Sequence, residues 1–217
     1  MGKFDDMNEK LTGYGVIPVV VIDDAKDAVP LCKALRDGGL GCAEVTFRTA
    51  AAEEAIRLIA ESFPEMLLGA GTVLNTEQAE RAIKAGAKFI VAPNFDAEVV
   101  DYCIERDVPV YPGALTPTEF AYGYKRGLRV MKFFPAKDGG GPAMIKAVSA
   151  VFPGLKFMPT GGVNGDNIKD YFATGKVACC GGTWMVKKDL IKNKEFDKIK
   201  KLTEEAVAAV KAAREAL

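Results

Sequence analysis

The chain contains no histidine. That absence excludes an imidazole general base, a Ser-His-Asp triad and any His-ligated metal centre. An excess of either charge is also missing: Lys and Arg total 29, Asp and Glu total 29, and the formal net charge is zero. The bulk electrostatic footprint of a nucleic-acid binder is therefore lacking, and no nucleic-acid partner is expected. No apolar run approaches the roughly 18 residues of a transmembrane helix, so no membrane partner is expected either. The opening residues, Met1-Gly2-Lys3-Phe4-Asp5-Asp6, carry charge and no apolar stretch, so no secretory leader is expected. Cys32, Cys42, Cys103, Cys179 and Cys180 are odd in number, none is in CxxC spacing, and the last two are adjacent. A zinc site or disulfide framework is not expected, and a reducing cytoplasm fits best. The first βα turn, Asp23-Asp24-Ala25, has no glycine-rich dinucleotide fingerprint.

What is present is a regular alternation. Over 217 residues, 49% of them hydrophobic, the composition is that of an ordinary globular protein with enough chain for a large core. Strand patterns fall at 16–22, 41–47, 66–71, 88–92, 108–112, 129–134, 156–160 and 177–181. Helical patterns fall near 25–37, 50–62, 76–85, 96–106, 116–126, 142–151, 165–173 and 195–216, the last an amphipathic closing helix. Pro64, Pro153 and Gly38-Gly39 sit where helices should stop. Parallel strands need such crossovers. Eight βα units without a linker or a break in composition predict an α/β fold, a (β/α)8 TIM barrel, as a single domain over 1–217. A doubly wound open sheet is the alternative.

In a barrel the active site lies at the carboxyl ends of the strands, and side chains alternate between interior and helix layer. In the second strand, Ala43, Val45 and Phe47 share one face, and Cys42, Glu44, Thr46 and Arg48 share the other. Inward charges are costly unless paired or used. Glu44 and Arg48 therefore read either as chemistry or as an internal ion pair. In the sixth strand Lys132 shares a face with Val130 and Phe134. An ammonium there loses hydration, its pKa falls, and the amine becomes a nucleophile. The alternative is a lysine snorkelling out of the barrel end. Lys88 and Lys156 only open their strands, away from the expected site. Gly69-Ala70-Gly71-Thr72-Val73 places a hydroxyl at the barrel mouth, and Pro93-Asn94 and Pro112-Gly113 start rigid loops there. Thr160-Gly161-Gly162 and Gly181-Gly182-Thr183 follow the last two strands, where barrels often hold phosphate on backbone N–H groups. Two tight turns are the plainer reading of them. Gly139-Gly140-Gly141 reads as a flexible loop.

Five co-linear segments carry a resemblance: Glu44-Val45-Thr46-Phe47-Arg48-Thr49, Gly69-Ala70-Gly71-Thr72-Val73-Leu74, Lys132-Phe133-Phe134-Pro135-Ala136, Pro159-Thr160-Gly161-Gly162-Val163 and Gly181-Gly182-Thr183-Trp184. Together, from about residue 12 to about residue 207, the chain resembles the class I 2-keto-3-deoxy-6-phosphogluconate (KDPG) aldolases, also described as bifunctional with 4-hydroxy-2-oxoglutarate (KHG) aldolase. The resemblance implies a TIM-barrel homotrimer that cleaves KDPG to pyruvate and glyceraldehyde 3-phosphate and uses a lysine with no metal or other cofactor. It implies that Lys132 is the Schiff-base lysine and Glu44 the general acid/base. Arg48 and Thr72 match residues that hold the pyruvate-derived carboxylate; Gly161 and Gly162 match the phosphate loop. Pro93, Thr160, Gly182 and Thr183 complete the expected substrate-binding set, Thr183 standing where a serine is often found. Asn94 is left without a role. The alternatives are the aldolase for the galactonate epimer, a phosphate-binding isomerase or epimerase, and a catalytically silent ligand-binding barrel.

Overall fold

The protein's structure is a computed structural model that describes residues 2–217; Met1, the first residue of the expected single domain, lies outside them. The strands are β1 (Val16–Val20), β2 (Cys42–Thr46), β3 (Leu67–Gly71), β4 (Phe89–Val91), β5 (Val110–Tyr111), β6 (Gly113–Ala114), β7 (Val130–Phe133), β8 (Lys156–Pro159) and β9 (Cys180–Gly182). All their ladders are parallel. Between and around them run α1 (Asp5–Tyr14), α2 (Ala28–Asp37), α3 (Ala52–Ser62), α4 (Thr76–Lys84), α5 (Ala97–Glu105), α6 (Pro117–Lys125), α7 (Gly141–Val151), α8 (Ile168–Phe172), α9 (Lys188–Lys192) and α10 (Phe196–Glu215). The fold is α/β, built on parallel sheet, as the alternation requires. Helices α2, α3 and α7 stop at the expected glycine and proline positions, and α10 buries Ile199, Ala206, Val210 and Ala213 along one stripe.

The expected eight continuous strands are not drawn as one ladder. A six-stranded sheet runs β5-β4-β3-β2-β1-β9, and a separate three-stranded sheet runs β6-β7-β8. Proline has no N–H to give to a ladder, so the strand expected at 108–112 becomes β5 and β6, broken at Pro112. The strand expected at 177–181 shrinks to β9. Only the isolated bridges Phe157–Val177 and Thr160–Gly181 link that segment to β8 and the residue after it. Two helices were not foreseen. Helix α1 has Phe4 at its N-cap, with no side-chain hydrogen bond there, and α9 is one short turn.

Alternation along the strands sorts the side chains. Phe133 and Phe157 face α6, where Phe120 meets Phe157 edge-on at 5.3 Å. Their neighbours Lys132 and Met158, paired in register, therefore face the other way, into the interior. There Phe89 and Tyr111 pack edge-to-face at 5.9 Å. Position 69 is a glycine because a Cβ would lie 2.1 Å from the Phe89 ring. Helix α1 lies beside the amino ends of the strands, and its Asn8 accepts a hydrogen bond from the Tyr111 hydroxyl at 3.0 Å. At the carboxyl ends the connections are short and capped. Asn75 accepts from Gln78 N at 2.8 Å, Asp96 accepts from Val99 N at 3.0 Å, and Thr116 and Glu119 form a capping box. Gly139 is no loose linker: a Cβ there would lie 2.6 Å from the Pro135 carbonyl oxygen, so this turn is packed against the end of β7 and runs into α7.

Candidate active site

The polar side chains on the inner face of β2 differ in how they are satisfied. The Cys42 thiol donates to the Val16 carbonyl at 3.5 Å, and the Thr46 hydroxyl donates to the Val20 carbonyl at 2.9 Å. Glu44 lies between them, is fully buried, and neither carboxyl oxygen has a hydrogen-bond partner. Buried acceptors without donors cost free energy and call for a reason. The fold makes room for this one: a Cβ at position 71 would lie 1.9 Å from Glu44 Oε1, so the end of β3 carries glycine. Burial pushes the Glu44 pKa up, opposed by the charges of Lys132 and Arg48.

Lys132 reaches the same interior from β7, in register with Gly113 on one side and Met158 on the other. It is 3% exposed, which removes the snorkelling alternative. Among the described residues its Nζ has no hydrogen-bond or ion-pair partner. Burial pushes its pKa down; the charge of Glu44 opposes the shift, and that of Arg48 adds to it. The acid and the amine thus feel each other's charge without forming an ion pair. One is moved up and the other down, toward each other and toward neutrality, the pattern of an acid/base–nucleophile couple.

The internal Glu44–Arg48 ion pair does not form. Arg48 projects beyond β2 to an exposed position, and its Nε donates to Thr72 Oγ1 at 3.1 Å. Thr72 has φ +54°, a left-handed backbone that a β-branched residue rarely adopts. Strain of this kind persists where surrounding structure imposes it, and it gathers at binding sites. Here it turns the hydroxyl toward the guanidinium at the carboxyl end of β3.

The loop after β8 has a second arrangement of unpaired polar groups. Thr160 is 7% exposed, and its hydroxyl donates to the Met158 carbonyl at 3.4 Å. Gly161 and Gly162 both have positive φ, +94° and +76°. Their carbonyls accept from Lys137 N at 3.0 Å and from Asn167 Nδ2 at 2.8 Å. Their own N–H groups donate to no protein atom among the described residues. Two free donors in one turn are an arrangement that can receive an anion. Gly182 ends β9 with the Trp184 ring pressed on it, a Cβ there meeting the ring at 1.9 Å, and Thr183 is exposed beside it. Pro93 is half-buried, and its carbonyl oxygen packs on Gly113, where a Cβ would come within 2.1 Å. Glu44 and Lys132 thus face the interior from within β2 and β7, the other expected site residues lie at or past the carboxyl ends of strands, and the charge of Arg48 acts on both Glu44 and Lys132.

Three residues make contacts that the sequence reading did not assign to them. Gly71 makes space for the carboxyl group. The Trp184 indole covers Gly182. The Phe134 ring stands with its centroid 4.9 Å from Lys132 Nζ. The i, i+2 spacing of Lys132 and Phe134 was the available signal for the last of these. All five cysteines are buried and free, and no helix is long and apolar enough to cross a membrane among the described residues. No cluster of three or more His, Cys, Asp or Glu side chains suited to a metal ion occurs among them.

Comparison with known proteins places relatives around this geometry. The family model described as KDPG and KHG aldolase matches residues 7–202. A 2-dehydro-3-deoxy-phosphogluconate aldolase of Treponema pallidum is 43% identical over 93% of this chain and 96% of its own. The KHG/KDPG aldolase of Escherichia coli is 41% identical over 93% of this chain and 94% of its own. Among solved structures, KDPG aldolase from Legionella pneumophila, with pyruvate captured at low pH as a covalent carbinolamine intermediate, superposes with a TM-score of 0.89. It is 39% identical, and the match covers 92% of this chain and 97% of that one.

Proposed function

This chain belongs to the KDPG and KHG aldolase family, and from that premise we propose that it is a class I aldolase cleaving KDPG to pyruvate and glyceraldehyde 3-phosphate. KHG, cleaved to pyruvate and glyoxylate, is its second substrate. One observation carries this reading: the buried Lys132 and the buried, unpaired Glu44 carboxyl group face the same interior from β7 and β2, where burial favours the neutral form of each.

In this mechanism the neutral Lys132 amine attacks the C2 ketone. Glu44 supplies the proton with which the carbinolamine oxygen leaves as water, and the product is a protonated imine. Glu44 then takes the proton of the C4 hydroxyl, the C3–C4 bond breaks, and its electron pair moves onto the imine nitrogen to give an enamine. Glyceraldehyde 3-phosphate departs. Glu44 returns its proton to C3, water adds to the imine, and pyruvate leaves Lys132 free. Arg48 and Thr72 hold the C1 carboxylate, the guanidinium as a planar fork that lysine could not copy. The free N–H groups of Gly161 and Gly162, with Thr160, Gly182 and Thr183, hold the phosphate, and Pro93 walls the substrate. Phosphate binding is remote from the reacting bond, so it also contributes to turnover.

The same reading completes the fold. Counting Val110–Ala114 as one strand broken at Pro112 leaves eight strands, and the bridges at Val177 and Gly181 join the two sheets. That supports a closed (β/α)8 barrel as a single domain. The functional unit is a homotrimer in the cytoplasm, without nucleic acid, membrane or cofactor. The test is pyruvate release, measured by a coupled dehydrogenase, from KDPG, KHG and the galactonate epimer side by side. Release that is fastest from KDPG and indifferent to chelator is expected. Release only from the galactonate epimer moves the assignment to that aldolase, and no release from any of them overturns the reading.

A further inference from the structure

Lys132 Nζ sits in an unusual electrostatic position. It makes no hydrogen bond to protein among the described residues, and Glu44 is too far away to form an ion pair with it. The group that meets it face-on is the Phe134 ring, with its centroid 4.9 Å from the nitrogen. That lies within the roughly 6 Å over which an aromatic face attracts a cation. The ring also packs against the Gly161 turn, where a Cβ on Gly161 would come 3.4 Å from Cδ2 and Cε2.

We propose that Phe134 is a positioning residue that keeps positive charge on the Lys132 nitrogen. This inference rests on the Schiff-base reading above. The imine is an electron sink only while it is protonated, because a neutral imine accepts the electrons of the breaking C3–C4 bond poorly. A buried iminium without a hydrogen-bond acceptor tends to lose its proton. The negative face of the ring opposes that loss, and it does so without an acceptor oxygen that would draw the proton away. The same face stabilises the free ammonium. The other charged groups acting on this nitrogen are Glu44, which favours its charged form, and Arg48, which disfavours it. Both remain unchanged in the experiment below.

The test uses the full chain with mono-, di- or trifluorinated phenylalanine placed at position 134. Fluorine drains the ring's negative face and leaves its shape nearly the same. Each protein is treated with pyruvate and borohydride across a range of pH, and the adduct on Lys132 is quantified by mass. Trapping needs a neutral amine at the acid limb and a protonated imine at the basic limb. Both limbs should move to lower pH with each fluorine, reaching about one pH unit for the trifluorinated ring. Above the original basic limb, adduct yield should then fall roughly ten-fold. A role in packing alone would leave the limbs in place. Phe134→Leu should shift them in the same direction. Superimposable profiles across the fluorinated series, with a normal adduct on the unmodified protein, overturn the inference and leave the aldolase reading intact. No Lys132 adduct on the unmodified protein removes both.

Discussion

Three lysines stand on or beside the strands, and comparing the two ends of the sheet separates them. At the amino ends, Lys88 Nζ donates to the Pro64 carbonyl at 2.5 Å, and Lys156 Nζ donates to the Gly175 carbonyl at 3.2 Å. Neither is buried. Helix α1 lies beside this end, Tyr111 is satisfied by Asn8, and Arg214 donates to the carbonyls of Thr12 and Gly13. Toward the carboxyl ends, Lys132 is buried without a partner, Glu44 has two orphaned oxygens, Thr72 is strained, and two glycine N–H groups are free. The same residue type is thus satisfied at one end and unsatisfied at the other. What differs is water and partners. On the proposed reading, the satisfied end stabilises the fold, and the unsatisfied end keeps its polar groups for a ligand.

Glu44→Gln breaks this comparison most severely. It keeps the shape and removes the proton shuttle, so turnover should drop by roughly 10²–10⁴-fold while pyruvate still binds. The sign of the pH effect is also set. The charge of Glu44 holds the Lys132 pKa up against burial, so its loss should move the acid limb of Lys132 trapping to lower pH. An unchanged acid limb and unchanged turnover would make Glu44 structural. Next in size is Gly162→Ala, which places a Cβ at φ +76° and 2.5 Å from the Lys137 Cβ. Loss of charge-assisted hydrogen bonds should cut kcat/KM for KDPG by roughly ten- to a hundred-fold. KHG, which has no phosphate, should lose far less. Equal losses on both substrates would place the defect elsewhere than the phosphate pocket. The smallest effect is expected from Thr72→Asn. Asparagine tolerates a left-handed backbone, so Tm should rise by roughly 1–2 °C while KM increases, because the contact to Arg48 is lost. A lower Tm would show that the strain at φ +54° is not borne by the threonine side chain.

The order of the elements was legible because the helical and strand periods alternate without interruption. The inward set on β2 was legible because the side-chain period of a strand is two, so Cys42, Glu44 and Thr46 had to share a face. Proline at 112 and the bend at Val177–Cys179 were visible as residues, but their effect on the ladder depends on which N–H groups the neighbouring strand needs. Helix α1 was missed for want of a capping side chain at Phe4. Whether Glu44 pairs with Arg48 could not be read from spacing, since Arg48 lies two residues past the end of β2 and turns to Thr72. Phe134 and Trp184 act through contacts with residues on other strands or across a turn, and periodicity sees only one strand at a time.

On the proposed reading, burial makes one lysine reactive among many. Pyruvate and borohydride, followed by peptide mass analysis, test it directly. A single reduced adduct on Lys132, with Lys88 and Lys156 untouched, is the predicted result. No adduct, or one on either lysine at the amino ends of the strands, contradicts it.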